Sequence, residues 1–480
     1  MNARQSQRNV KWVEGLRGVT SVLVIVTHIS RAFDFPLFWP ADVKDGTPRL
    51  LQLPYLRIPW QGRIGVPIFA FLTGFVCAYK PLKLAYQQGN TSAALKSIAR
   101  SAFRRPPRLM LPALIATFCS FVLSVLGGYK AANHCDSVWV RFDAPDPLPL
   151  LPNIGRFFTT SLTTWTNTEN LFDRHQWAMR PLLIGAFQVY IVLAATIGMR
   201  FQYRVLVHVL LIAYWWMNVN YLTETFGAML ALGTLLAELA QHRPTQNWIM
   251  SHQRLLSCVV APILMLIGGF VGSYPQENAD WSPWSLHLHR FLTDPLGNGS
   301  VGSFINPKGS DTQRRTAAFF IMCWSITLFI TPSLQRLLSH RLLIWLGHHS
   351  FAVYLVHGTI LRTVGIWIAY GISGEPWEPA GVDENGKPKE QTWIAPRGRP
   401  YIMMSILVFV VLTYTAAWAW MRWVDSACAR ATQWLENKVF EEDNESAAAM
   451  AEKGYARVNG HDVTSRSPRY HDGDRSVPPP

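Results

Sequence analysis

The sequence predicts an all-α, polytopic membrane bundle of about ten transmembrane helices with both termini in the cytosol. Three observations carry that reading. Only 15% of the 480 residues are charged, against about 25% in a soluble domain. The deficit is concentrated in long apolar runs of spanning or near-spanning length. Lys and Arg also alternate from flank to flank of these runs, as the positive-inside bias requires.

The runs lie near 16–33, 64–80, 109–127, 182–199, 204–222, 226–240, 254–273, 317–332, 343–371 and 401–422, the second and sixth being short. Arg4, Arg8 and Lys11 precede the first. Lys80, Lys83, Lys96, Arg100, Arg104, Arg105 and Arg108 fill the loop after the second. Later even-numbered ends carry Arg200 and Arg204, then Arg243 and Arg254, then Arg336 and Arg341, then Arg422 and Arg430. All fall on one side if the N-terminus is cytosolic. No small-residue cleavage site follows the first run, so it reads as a retained span, not a signal peptide. The opposite loops, near 128–181, 274–316 and 372–400, are long, rich in Pro, Trp and Gly, and suited to form a lid. Asn298-Gly299-Ser300 there has the form of a glycosylation acceptor. Trp60, Trp165, Trp177, Trp281, Trp284 and Trp393 stand where runs meet loops, as interfacial belts do.

The transmembrane part is assigned to 1–425 and a cytosolic tail to 426–480. In that tail, 421–440 reads as an interfacial helix with Trp423 and Trp434, and 441–480 as disordered. The net charge of +14 is accounted for by basic flanks, so no nucleic-acid partner is expected. Cys77, Cys119, Cys135, Cys258, Cys323 and Cys428 show neither CxxC nor Cys/His spacing, so no metal and no disulfide framework is expected.

Three blocks carry chemistry. The first is Glu14-Gly15-Leu16-Arg17-Gly18 followed by apolar residues to His28. Arg17 and His28, eleven residues apart, fall about 20° apart on one helix face and about 16 Å apart along the axis. Glu14 and Ser21 extend the stripe. Ionisable groups inside a span are costly and mark a functional site. A neutral buried imidazole is a competent base for a hydroxyl, although a lone intramembrane His is about as often a packing group. The second block is Arg104-Arg105-Pro106-Pro107-Arg108. Pro favours the first helical turn, so the third span is expected to begin at Pro106 or Pro107, with the guanidinium groups around its N-terminus as an anion site. The plain alternative is an ordinary positive-inside flank. The third block is Gly347-His348-His349-Ser350-Phe351-Ala352-Val353-Tyr354-Leu355-Val356-His357, in which Ser350, Tyr354 and His357 share a face. Here the alternative is a His bonded to a neighbouring helix.

In this order, these blocks resemble the acyltransferase 3 family of integral membrane acyltransferases. Gly65-Val66 through Thr73-Gly74-Phe75 is similar to that family's second-span block, and Arg105, Arg108 and Pro112 to its Arg-x-x-Arg with a nearby Pro. The resemblance covers about 10–425 and is strongest to fungal members. It implies transfer of an acyl group, often acetyl, from acyl-CoA as co-substrate to a hydroxyl of a sugar, lipid or small-molecule acceptor, with no permanently bound cofactor. By the same resemblance His28 is the catalytic base or acyl relay, with His357 the next candidate. Arg17, Arg105 and Arg108 hold CoA, while Glu14, Ser350 and Tyr354 support. The lipid bilayer is the surrounding partner and an endomembrane such as the endoplasmic reticulum the expected location. Two departures stand out: Leu182 where eukaryotic members often have Glu, and Pro106-Pro107 inside the arginine motif. The tail is shorter than the soluble SGNH-type domain that some relatives append. The rival readings are a multi-pass transporter, which would more often show paired halves with broken helices, and an inactive family member, which Leu182 keeps open.

Overall fold

The computed structural model describes residues 3–440 apart from 61, 220–224, 298–301 and 383–387. The glycosylation acceptor at Asn298 and the segment 441–480 lie outside the described residues. Two compact units divide the chain, Met1–Arg430 and Ala431–Pro480. The described part of the second, 431–440, is helical to Val439.

The first unit is built of helices, with one pair of two-residue strands, Gly381–Val382 and Pro388–Lys389, among the described residues. Its principal helices are α1 (Ala3–Phe33), α2 (Gly65–Gln88), α3 (Thr91–Val125), α4 (Met179–Thr196), α5 (Phe201–Met217), α6 (Phe226–Gln241), α7 (Ala261–Gly272), α8 (Thr312–Ile330), α9 (Arg341–Ile360) and α10 (Arg399–Trp420). Every apolar run expected to span is helical over most of its described length. Seven helical stretches are long and apolar enough to cross a membrane, and an eighth is present if Thr312–Ile330 and Pro332–Leu338, bent by 100°, cross together. The remaining two runs are the 17-residue α5 and the 16-residue α6. The protein is therefore an integral membrane protein of helical class. Leu206, Leu210 and Tyr214 on α5 and Ile263, Leu266 and Ile267 on α7 are exposed apolar side chains of the kind that face lipid.

Glycines decide how the helices approach. In a membrane, small residues let backbones touch, because lipid removes the hydrophobic drive between helices. A Cβ on Gly15 would lie 1.7 Å from the Leu338 carbonyl oxygen, one on Gly18 2.2 Å from that of Leu343, and one on Gly347 1.9 Å from that of Glu14. The Gly-Leu-Arg-Gly block thus seats α1 on the end of the helix Pro332–Leu338 through Gly15 and on α9 through Gly18 and its partner glycine Gly347, which brings the faces of His28 and His357 together. Gly74 and Gly233 do the same for α2 and α6, each with a virtual Cβ 2.1 Å from a carbonyl oxygen of the other helix.

One expectation is corrected. The third span does not begin at Pro106 or Pro107. Its helix starts at Thr91, where the Asn90 side chain accepts the Ala93 N–H at 2.8 Å, and it runs through Pro106, Pro107 and Pro112. A capped run of good helix formers reaches the prolines already helical, so they remove N–H donors from the helix interior instead of opening a new helix. No free helix N-terminus lies among these arginines.

The long loops pack on each other. The backbone of Cys135 bridges to Ile394, and the His134 ring stacks on Trp377 at 4.1 Å, joining 128–181 to 372–400.

Candidate active site

A cavity of about 800 Å³ runs beside α1. Arg17, His28 and Arg31 of α1 all line it. On the Arg17 side its wall includes Lys80, Arg104, Arg105 and Arg108, and on the far side Arg31 and Arg63. Ser350 and Tyr354 of α9 also face it, as does Leu182 at the position where the family resemblance leads one to expect Glu.

The arginine side is held lightly. Arg17 pairs with Glu14 at 3.2 Å, with about a third of the Arg17 side chain exposed. Arg105 is half-buried and Arg108 is exposed. Glu14 therefore acts on the cavity through Arg17. Ser350 gives its hydroxyl hydrogen to the Gly347 carbonyl at 2.8 Å and has its backbone turn fixed in that way.

The other side is an imidazole cluster. The His28 ring stands edge-on to His175 at 4.3 Å between centroids, 5.1 Å from His357, and stacks on Trp139 at 5.2 Å. Each ring comes from a different element: α1, the short helical turn Arg174–Ala178, and α9. Neither His175 nor His357 is more than 7% exposed. The Nδ1 atom of His357 faces the carbonyl oxygens of Val353 and Tyr354 at 3.0 and 2.9 Å. A carbonyl only accepts, so Nδ1 carries the proton and Nε2 carries the lone pair. His175 Nδ1 likewise donates to Asp173 Oδ1 at 2.8 Å, which leaves its Nε2 as the lone-pair nitrogen, 3.4 Å from Asp143 Oδ2. His28 Nδ1, His175 Nε2 and His357 Nε2 are sealed from solvent without a hydrogen-bond partner.

Asp173 is fixed from several directions. Arg362 Nη2 donates to Asp173 Oδ1 at 2.9 Å, and its Nη1 donates to the Asp143 carbonyl. Arg362 comes from Leu361–Gly365, a π turn in the helix that continues α9, a distortion that recurs at functional sites. Burial alone would raise the Asp173 carboxyl, but the Arg362 guanidinium and the His175 ring outweigh it and hold it well below the usual carboxylate range. Gly358 makes room for the pair: a Cβ there would lie 2.4 Å from His175 Nδ1. The Tyr354 hydroxyl donates to the His175 carbonyl, so the third sequence block holds the loop that carries His175.

One ring nitrogen from each imidazole lies within 4.8 Å of the others, a spacing compatible with a metal ion. Arg31 and Arg362 are electrostatic neighbours of the His28 ring.

The structure brings Arg17, Arg105, Arg108, His28, Ser350 and Tyr354 to one cavity, with His357 directly behind His28. Sequence reasoning missed His175, Asp173 and Arg362. Arg362 carries a signal, since it is an ionisable residue inside the ninth apolar run. Asp173 and His175 precede the fourth apolar run, Asp173 in a loop and His175 in the helical turn Arg174–Ala178, where the cost of burying charge in a span gives no warning.

Residues 10–382 match the acyltransferase domain. The chain is 24% identical over 389 residues to the O-acetyltransferase PaAT-1 of Phomopsis amygdali, covering 75% of this chain and 74% of that protein. It is 20% identical over 420 residues to the acyltransferase R4 of a Phoma species, covering 76% and 86%. With that domain matched across most of its length, the chain belongs to the acyltransferase 3 family and is an integral membrane acyltransferase.

Proposed function

We propose that the protein transfers an acyl group, acetyl in the simplest case, from acyl-CoA to a hydroxyl of a small-molecule, sugar or lipid acceptor in an endomembrane such as the endoplasmic reticulum. The observation that carries this reading is a cavity that joins a group of arginines to the His28 imidazole. Guanidinium groups suit the phosphates of CoA, which they bind by charge-assisted hydrogen bonds. Arg17 and His28 share a helix face about 16 Å apart, so a donor anchored at the arginines extends its thioester arm along α1 toward His28. The acceptor hydroxyl then lies between His28 and the thioester carbonyl. His28 takes the hydroxyl proton as the acceptor oxygen bonds to the carbonyl carbon. The C–S bond breaks, and the CoA sulfur leaves with a proton. The relative from Phomopsis amygdali bears the name O-acetyltransferase, which accords with acetyl as the group and oxygen as the acceptor atom.

The test uses full-length protein purified in detergent. Acetyl-CoA binding is measured directly, and CoA thiol release is followed with water or added hydroxylated compounds as acceptor. The reading requires saturable binding and thiol release. A protein that does neither overturns it.

A further inference from the structure

We propose that His175 is a second catalytic residue of the transfer, the carrier of the proton between acceptor oxygen and CoA sulfur, with Asp173 and Arg362 as its positioning residues. This rests on the acyl-transfer reading above. A proton taken up by His28 makes an imidazolium in a poor place for one. Among the described residues His28 pairs with no carboxylate, and Arg31, Arg362 and two further imidazoles are its electrostatic neighbours. His175 differs. Its Nδ1–H meets Asp173 at 2.8 Å and its Nε2 faces Asp143 at 3.4 Å. The same positive charge is therefore better placed on His175 than on His28.

The geometry around His175 is that of an oriented base. Asp173 accepts the ring N–H, which selects the tautomer with the Nε2 lone pair free. Arg362 locks Asp173 at 2.9 Å, and the Asn170 side chain accepts the Asp173 backbone N–H at 2.9 Å. His175 lines the cavity beside His28. One ring nitrogen of each lies within 4.8 Å of one of the other, a gap that one water or the acceptor hydroxyl spans. The groups against the ring are Asp173 two residues before it, His28 from α1, Trp139 and Asp143 from the helix Val138–Asp143, and His357 from α9; Arg362 reaches it through Asp173, and Tyr354 holds its backbone carbonyl.

The step balances. The acceptor O–H proton goes to His28 as the C–O bond forms. It passes to His175 Nε2, whose charge Asp173 and Asp143 offset. As the C–S bond breaks, His175 returns it to the thiolate, giving CoA–SH and the ester with both imidazoles neutral again. No oxidant or further reactant is needed.

The experiment compares wild type, His175→Gln, Asp173→Asn and Asp173→Glu as full-length protein, reading acetyl-CoA affinity and the pH dependence of thiol release. His175→Gln should lose about 10²-fold or more in rate while binding acetyl-CoA within about threefold of wild type. Asp173→Asn should be slower by about 10- to 100-fold, and the acidic limb of its rate profile should move at least about one unit lower. The variant changes the charge beside the ring that carries the proton, which a purely structural role would not register in the pH profile. Asp173→Glu should recover part of the rate and move the limb back. A His175→Gln variant within about threefold of wild-type rate overturns the proposal. So does an Asp173→Asn variant whose rate falls with the limb unmoved, which marks a structural role and decides the matter even if His175→Gln does not fold. A wild type that releases no thiol sinks the acyl-transfer reading and this proposal together.

Discussion

The two sides of the cavity are built on opposite principles. At the arginine side the charges are half-buried or exposed, and one ion pair there, Arg17 with Glu14, joins residues three apart within one helix. At the imidazole side Asp173 and Arg362 are at most 1% exposed, and the residues that orient the rings come from the loop 128–181 and from α9 and its continuation. Loosely held cations near water suit a large anionic ligand that must come and go. Buried groups with fixed partners suit bond making, where a displacement of about 1 Å costs orders of magnitude in rate. If that division is right, perturbing the two sides separates binding from turnover.

The largest expected effect is at His28. His28→Ala should lower turnover by about 10²–10⁴-fold while the protein still inserts and binds acetyl-CoA. His28→Gln keeps bulk and hydrogen bonding but takes no proton, and it should fail almost as badly. Near-normal thiol release by the Gln variant would make His28 a packing residue and pass the role of base to His175 or His357.

Next come Arg105→Ala and Arg108→Ala. Each lost charge-assisted contact to phosphate costs about 1.5–3 kcal/mol, roughly 10- to 150-fold in acyl-CoA affinity, with the exposed Arg108 at the lower end. The loss should shrink at high salt, since these charges face solvent. Unchanged affinity in both variants would return the arginines to a plain positive-inside flank.

A third effect concerns the scaffold that joins the two sides. Gly347→Ala drives a Cβ to 1.9 Å from the Glu14 carbonyl oxygen. Backbone cannot yield as a side chain does, so α1 and α9 must part. We expect a loss of about 1–3 kcal/mol in stability, read as a lower melting temperature, and a drop in turnover as His28 and His357 separate. A variant with wild-type melting and rate would show that the close approach is dispensable.

The smallest effect is the pH dependence of stability. Asp173 has its folded-state pKa depressed, so its contribution is fully present above the unfolded carboxylate value of about 3.9 and is lost as pH falls toward the lower folded value. The difference in melting temperature between wild type and Asp173→Asn should be constant from about pH 5 to 8 and narrow below about pH 4. A difference that vanishes already near pH 6 would contradict the Asp173–Arg362 pairing.

Much of this plan is legible in the sequence because membranes impose simple rules. Apolar length marks every principal helix, and the cost of a charge in a span singles out Arg17, His28 and His357. The same rule reaches Arg362, whose partner Asp173 lies 189 residues away and leaves no periodic trace. Asp173 and His175 sit two residues apart ahead of the fourth apolar run, where a spacing of two means nothing until the fold sets it against α1 and α9. The start of α3 is misread for a different reason. Pro106-Pro107 is a good helix-start cue, but it is local, and the Asn90 cap sixteen residues before Pro106 had already begun the helix. The role of Gly15, Gly18 and Gly347 is invisible without knowing which backbone each one meets.

The division of labour is tested most directly by one paired measurement: acetyl-CoA dissociation constant and saturating thiol-release rate, on the same preparations of wild type, His28→Gln and Arg105→Ala. The account predicts that His28→Gln keeps its affinity within about threefold and loses about 10²-fold or more in rate. It predicts the reverse for Arg105→Ala, a weakened affinity with a rate at saturation close to wild type. Affinity and rate falling together in both variants, or His28→Gln turning over normally, would contradict it.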